Sequence, residues 1–253
     1  MSIGTDGSDP YAAFKDGYFQ KWNYADRTRG RFSMYWFARR YFAALVRRYA
    51  PAGGGQLLEI GCGEGDLLGL LQDDFEAVGI DVIPEVIEQA RRVAPRARIS
   101  EMGAEQIAGF APASFCAIVS LHVFEHLRDP AGTIRTAAEL LEKGGLLMLA
   151  TPQPDYWMRR FKDPRTDAAG KDLTHINVHP PAIWRRWCEE AGFEVLRHFG
   201  DGLWDVPYMP VVPTRLQFAL FGFPALIQVL TRTTATPLSM GVNQIIIARR
   251  MRS

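Results

Sequence analysis

The sequence predicts an α/β chain built on a doubly wound, mainly parallel sheet, and three observations predict it. From Gln56 onward, short apolar runs alternate with amphipathic stretches, as repeated strand–helix crossovers require. A glycine turn, "GCGEGD" at 61–66, follows the first apolar run. The second run ends on an acid, Asp81, twenty residues after Gly61.

Taken in order, strands are expected at 56–60, 77–81, 97–101, 115–122, 145–151, 193–199 and 243–250. Helices are expected at 66–74, 84–94, 130–142 and 180–192. Pro84 and Pro130 suit helix starts, where a missing N–H costs nothing. "KGG" at 143–145 is expected to stop the third helix. A length of 253 residues with 47 % apolar content fits a single domain. Within it, residues 1–50 form an N-terminal helical cap, and 51–253 the main body with an insertion at 201–240. A net charge of +1 gives no general pull toward nucleic acid or acidic membranes. Cys62, Cys116 and Cys188 form no CxxC pair, which predicts reduced thiols and a cytoplasmic location. The polar start "MSIGTDGSDP" lacks a signal-peptide apolar region and suggests a frayed tail.

Two regions fall outside the alternation. Residues 11–49 hold 13 of the 29 aromatics and nine Lys/Arg against two acids. There Arg40 and Arg47 share a helical face, as a solvated basic stripe or a contact for an anionic substrate. The insertion is rich in Pro and aromatics, with Trp204, Tyr208, Phe218, Phe221 and Phe223. Its stretch "LQFALFGFPALIQVL" at 216–230 is interrupted by Gln217, Pro224 and Gln228 and is too short to span a bilayer comfortably. A wall of an apolar pocket, a peripheral lipid contact or a homodimer interface are its readings.

Gly61, Gly63 and Gly65 let bare backbone approach a ligand at the carboxyl edge of the sheet. Asp81 is placed to accept from ribose hydroxyls, or else to cap the turn after its strand. A nicotinamide fingerprint needs glycine at the sixth position of the turn, where this chain has Asp66, an anion that repels pyrophosphate. The turn better suits a nucleoside without phosphates that carries a cationic group near Glu59 and Asp66. Glu59 also reads as a cap for neighbouring amides, and Cys62 as a small loop residue.

"LLEIGCGEG" resembles the first motif of the class I methyltransferases, and the resemblance runs in order through about 56–200. "GIDV" at 79–82 is similar to the second motif, "GAEQI" at 103–107 to the third, "FCAIVSLHVFEHLRDP" at 115–130 to the fourth and "LLEKGGLLMLATPQP" at 140–154 to the fifth. The resemblance implies a Rossmann-like seven-stranded sheet with an antiparallel last strand, preceded by N-terminal helices. It implies S-adenosyl-L-methionine as cofactor and S-adenosyl-L-homocysteine as product. Glu59, Gly61, Cys62, Gly63 and Gly65 would hold the methionine and ribose, Asp81 the ribose, and Val82, Ala104 and Glu105 would border the adenine. Leu121, in the fourth strand, would also contact the cofactor. Tyr18, Trp22 and Tyr24 would cover the methionine end, where an aromatic face attracts a sulfonium.

Displacement on a sulfonium carbon needs alignment and exclusion of water, plus a base that takes the acceptor proton near neutral pH. His122, at the exit of the fourth strand, is the leading candidate. His126 is either catalytic or a link between helix and loop. "KDLTHINVHPP" at 171–181 brings His175, expected to gate or orient the acceptor, together with His179. Quinone-pathway O-methyltransferases and RNA 3′-end methyltransferases are similar here, with an ExxEH motif and a later histidine that hold a divalent metal. This chain has His122 in place of the first glutamate, and that departure argues against a metal. The expected function is methyl transfer to oxygen or nitrogen of a small, largely apolar acceptor. Nucleic-acid methylation has only the basic stripe in its favour. A sensor that binds the cofactor without turnover is the alternative outside enzymes, and a base at His122 speaks against it.

Overall fold

The computed structural model describes Phe14, residues 30–163, Asp167 and residues 172–251. Seven strands form one sheet: β1 Gln56–Ile60, β2 Glu76–Asp81, β3 Arg98–Glu101, β4 Phe115–Leu121, β5 Leu141–Pro152, β6 Phe193–Gly200 and β7 Asn243–Arg250. Their order is β3-β2-β1-β4-β5-β7-β6. β1 to β5 pair in parallel, and β7 runs antiparallel to both β5 and β6.

Alternating residues of the same strands feed two apolar layers. Leu57, Val119, Met148 and Ile247 face one layer, shared with α1 (Met34–Tyr49), α2 (Asp66–Leu71) and α3 (Pro84–Val93). Leu58, Ile118, Leu147 and Ile246 face the other, shared with α4 (Pro130–Leu140) and α5 (Pro181–Glu190). Cover on both faces explains why the strands read as near-continuous apolar runs.

Helix starts follow local chemistry. Pro84, Pro130 and Pro181 stand in the first turns of α3, α4 and α5. Asp129 caps α4, accepting from the Gly132 N–H at 2.7 Å. The expected helix ends move inward by one to three residues, α3 to Val93 and α5 to Glu190. α2 closes at Leu71, with the Asp74 and Phe75 amides turning back onto the Leu71 carbonyl. α4 closes at Leu140, before "KGG", because that segment joins β5, where the register with β4 slips between Phe115 and Ala117. Gly144, at φ 82°, absorbs this irregular start.

The insertion carries a helical run: α6 Thr214–Gln217, a π-helical turn Phe218–Gly222 and α7 Phe223–Thr231. The π turn accommodates Pro224, which has no N–H for the regular ladder. No helix among the described residues is long and apolar enough to cross a membrane.

Candidate functional site

Strand order reverses between β1 and β4, and their carboxyl ends open the crevice where sheets of this kind bind ligands. As the chain leaves β1, Gly61, Gly63 and Gly65 take φ of 72°, 52° and 80°. A side chain at Gly61 would collide with Cγ2 of Val123, in the turn after β4. Gly65 faces elsewhere. A Cβ there would lie 2.9 Å from Cα of Ala90, so this glycine seats α2 against α3 and is not among the cavity's lining residues.

Asp81 closes β2 beside this turn. Its carboxylate accepts from the Gly63 N–H at 2.8 Å and from the Ile83 N–H at 3.1 Å. Thus it caps the following turn and ties it to the glycine turn at once. Each oxygen retains acceptor capacity toward the cavity that Asp81 lines. Burial raises its pKa, against those two amides.

Glu59 is only 2 % exposed, and its Oε2 makes no hydrogen bond. Burial pushes its carboxyl up to about 8, while the nearby Arg39 charge pulls the other way. An unpaired carboxylate oxygen on a cavity wall suits a cation.

α1, within the expected N-terminal cap, adds a further wall. Ser33 caps it through the Trp36 N–H at 3.1 Å. The Tyr35 hydroxyl donates to Asp66 at 2.7 Å, and the Arg39 guanidinium lies 4.7 Å from the Tyr35 ring centroid. The two arginines singled out by spacing are engaged outside the cavity. Arg40 stacks on Trp36 at 3.6 Å, and Arg47 pairs with Asp74 at 2.7 Å. Arg39 does line the cavity, as does Arg128 in the turn after β4. The spacing of Arg39 is ordinary; only the docking of α1 selects it.

Glu59, Gly61, Cys62, Gly63, Asp81 and Val82 line a cavity of about 1090 Å³, with Ala104, Glu105 and Leu121 further along the same wall. Met102, not anticipated, lines it too. Burial holds the Cys62 thiol well above its ordinary pKa, which suits packing rather than nucleophilic chemistry.

The same cavity runs past the end of β4. His122 stands at φ 60°, a conformation that residues other than glycine rarely adopt, and its N–H donates to the Ala150 carbonyl at 2.8 Å. Its Nδ1 lies 3.5 Å from Oε1 of Glu125. Glu125 is fully buried, and neither of its oxygens has a well-formed hydrogen bond. Burial raises its pKa, but the His122 and His126 imidazoles outweigh that and leave it below the ordinary value. His126 Nδ1 meets the Thr174 carbonyl at 3.1 Å and the Thr174 hydroxyl at 3.0 Å, so it does link the turn to the following loop. His126 and His175 stand 4.7 Å apart between ring centroids, and the Phe14 ring lies edge-on to His126 at 5.4 Å. Glu125, His126 and His175 each offer a ligand atom, all within 4.8 Å of one another.

The facing wall comes from the insertion and the start of β7. Asp201, half-buried there, accepts from the Asn243 N–H at 2.8 Å, the Asn243 amide at 2.6 Å and the Trp204 indole at 2.6 Å. Of the insertion aromatics, Trp204 and Phe218 line the cavity. Tyr208 and Phe221 instead pack with Tyr156, and Phe223 is exposed. His179 lies off the cavity, bonded to Asn177 at 3.0 Å and edge-on to Trp187 at 5.1 Å. Tyr18, Trp22 and Tyr24 lie outside the described residues.

Comparison with known proteins agrees with this fold. The model of a methyltransferase domain family matches residues 15–198. The chain belongs to that family, within the class I methyltransferases that use S-adenosylmethionine. The chain is 29 % identical over 112 residues to the ubiquinone biosynthesis O-methyltransferase of Albidiferax ferrireducens, covering 42 % of this chain and 44 % of that protein. For the Xylella fastidiosa protein of the same description it is 32 % over 111 residues, covering 42 % and 45 %. These matches span less than half the length of either relative. Among solved structures, a methyltransferase of Thermotoga maritima described as a possible histamine N-methyltransferase superposes with a TM-score of 0.62 at 16 % identity, covering 95 % of this chain and 98 % of that one. The [4+2]-cyclase SpnF superposes at 0.56 with 19 % identity, covering 85 % and 82 %. Likeness at such identities concerns the fold, and the fold also carries a cyclase, so the reaction has to be argued from the site.

Proposed function

We propose that this chain transfers a methyl group from S-adenosylmethionine to oxygen or nitrogen of a small, largely apolar acceptor. One observation carries the reading: a single cavity joins the glycine turn and Asp81 to the histidines at the end of β4. In this reading Asp81 accepts from the ribose hydroxyls, and Val82, Met102, Ala104 and Glu105 border the base. The orphan Glu59 oxygen, with Asp66, meets the cationic methionine end, and Arg39 its carboxylate. Cationic sulfur then lies toward His122. The walls hold donor and acceptor in line and keep water out, while His122 takes the acceptor proton as the new bond forms.

A second reading concerns a divalent metal, and the donor set fits one. Two imidazoles and a buried carboxylate without a well-formed hydrogen bond are suitable ligands. When bound, such an ion would polarise an acceptor oxygen. Glu125, His126 and His175 would hold it, while His122, in the place of the first glutamate, would face the acceptor.

The test is a screen of phenolic, sugar, amine and lipid acceptors for products one methyl group heavier, repeated with His122→Ala and with chelator. Turnover that falls roughly a hundredfold or more in His122→Ala, with unchanged S-adenosylhomocysteine binding, supports the proton-transfer role. Loss on chelation, restored by one divalent ion, supports the metal reading, and indifference to chelation removes it. Tight donor binding with no product from any acceptor favours a sensor.

A further inference from the structure

The helical run of the insertion buries its two amides and exposes a row of large apolar side chains. Its buried face carries amides. Gln217 accepts from the Tyr208 and Met209 N–H groups at 2.7 and 3.0 Å and donates to the Met209 and Val212 carbonyls at 2.7 and 2.6 Å. Gln228 donates to the Gly200 carbonyl at 2.9 Å and accepts from the Thr236 N–H at 2.9 Å. The outer face carries Leu216, Leu220, Phe223, Ile227 and Leu230, each between 46 % and 59 % exposed. Their spacing of four, three, four and three puts them on one side of the run. A helix that meets water has the reverse arrangement. Here the polar groups are spent as pins to the body, and the apolar stripe is left facing outward.

The charges that the run itself carries have one sign. Arg215 and Arg232 bracket the stripe, and no Asp or Glu occurs after Asp205. The neighbouring α1, tied to the run by the Tyr41 hydroxyl on the Thr233 carbonyl at 2.6 Å, belongs to a stretch without acids between Asp26 and Glu59. Paired symmetrically with a second copy, two such runs would bring four arginines together with no carboxylate of their own. Lipid phosphates match those arginines, and an acyl boundary matches the leucines and Phe223.

We infer that this stripe docks the protein on an anionic lipid bilayer. The inner side of the same run lines the cavity through Phe218, Ala225 and Val229, so a docked bilayer lies beside the site. Docking rests on the surface alone; an acceptor drawn from the lipid rests also on the methyl-transfer reading above.

Flotation of the full chain with phosphatidylcholine vesicles, with and without phosphatidylglycerol, tests it. Two variants accompany the wild type, Leu220→Asp/Phe223→Asp/Ile227→Asp and Arg215→Glu/Arg232→Glu, with thermal unfolding as the fold control. The wild type is expected to float with the anionic vesicles, with at least about tenfold weaker binding to phosphatidylcholine alone and in high salt. Both variants are expected to lose binding about tenfold or more while unfolding near the wild-type temperature. Should the triple variant misfold, the arginine pair decides. Wild type that stays unbound, or variants that float equally well, overturn the inference. So does a dimer broken by the same substitutions, which would assign the stripe to a second copy. Flotation without binding of donor or S-adenosylhomocysteine would leave docking standing and remove the methyl-transfer reading.

Discussion

Glu59 makes the most direct residue-level demand, because its carboxyl is buried at the end of β1 and pushed up to about 8 from an ordinary 4.5. With the folded pKa above the unfolded one, its contribution to stability is fully present below about 4.5 and is lost as pH rises toward 8. Glu59→Gln removes that dependence. Its stability relative to wild type should climb with pH across this window by up to about 1.4 kcal/mol per unit, read by urea unfolding at several pH values. A constant difference would mean that Glu59 does not titrate there. Donor affinity should move the opposite way in the wild type, rising with pH as the carboxylate becomes available to a cation. Gly61 makes a second demand. Gly61→Ala adds a Cβ at positive φ against Val123, and should cost ~3 kcal/mol. Val123→Ala in the same chain should recover the packing part but not the backbone part. Full recovery, or none, would contradict that division.

At the scale of elements, the core strands were legible because apolar runs, glycine turns and prolines at helix starts are local signals. β1 and β7 fall on their expected residues, and the other strands within a few. Signals that depend on packing were not. "KGG" looks like a helix stop, yet the slip between β4 and β5 recruits it to the sheet. Arg39 is one arginine among many until α1 docks and turns it to the cavity. The glutamines of the insertion read as interruptions of an apolar segment, whereas they anchor it. Gln228→Leu, which strands the Gly200 carbonyl and the Thr236 N–H, should cost about 2 kcal/mol, felt mainly in the insertion. Hydrogen exchange should then quicken across residues 206–236 and stay slow in β1, β4 and β5. Equal loosening throughout would mean that the insertion and the sheet unfold as one unit.

At the scale of the whole molecule, topology decides where chemistry can occur. Reversal of strand order between β1 and β4 brings the glycine turn, Asp81 and His122 to one edge, though they lie far apart in sequence. That convergence was legible through five motifs in register. The nearness of Glu125, His126 and His175 was legible only in outline, because the loop around His175 is placed by tertiary bonds through Thr174. On the proposed reading, this edge holds a nucleoside bearing a cation, gripped by Asp81. Isothermal titration of wild type and Asp81→Ala with S-adenosylhomocysteine tests it most directly. Saturable one-to-one binding is expected of the wild type, weakened by about 2 kcal/mol, roughly thirtyfold, in a variant that remains folded. Absence of binding by the wild type, or equal affinity in the folded variant, would contradict it.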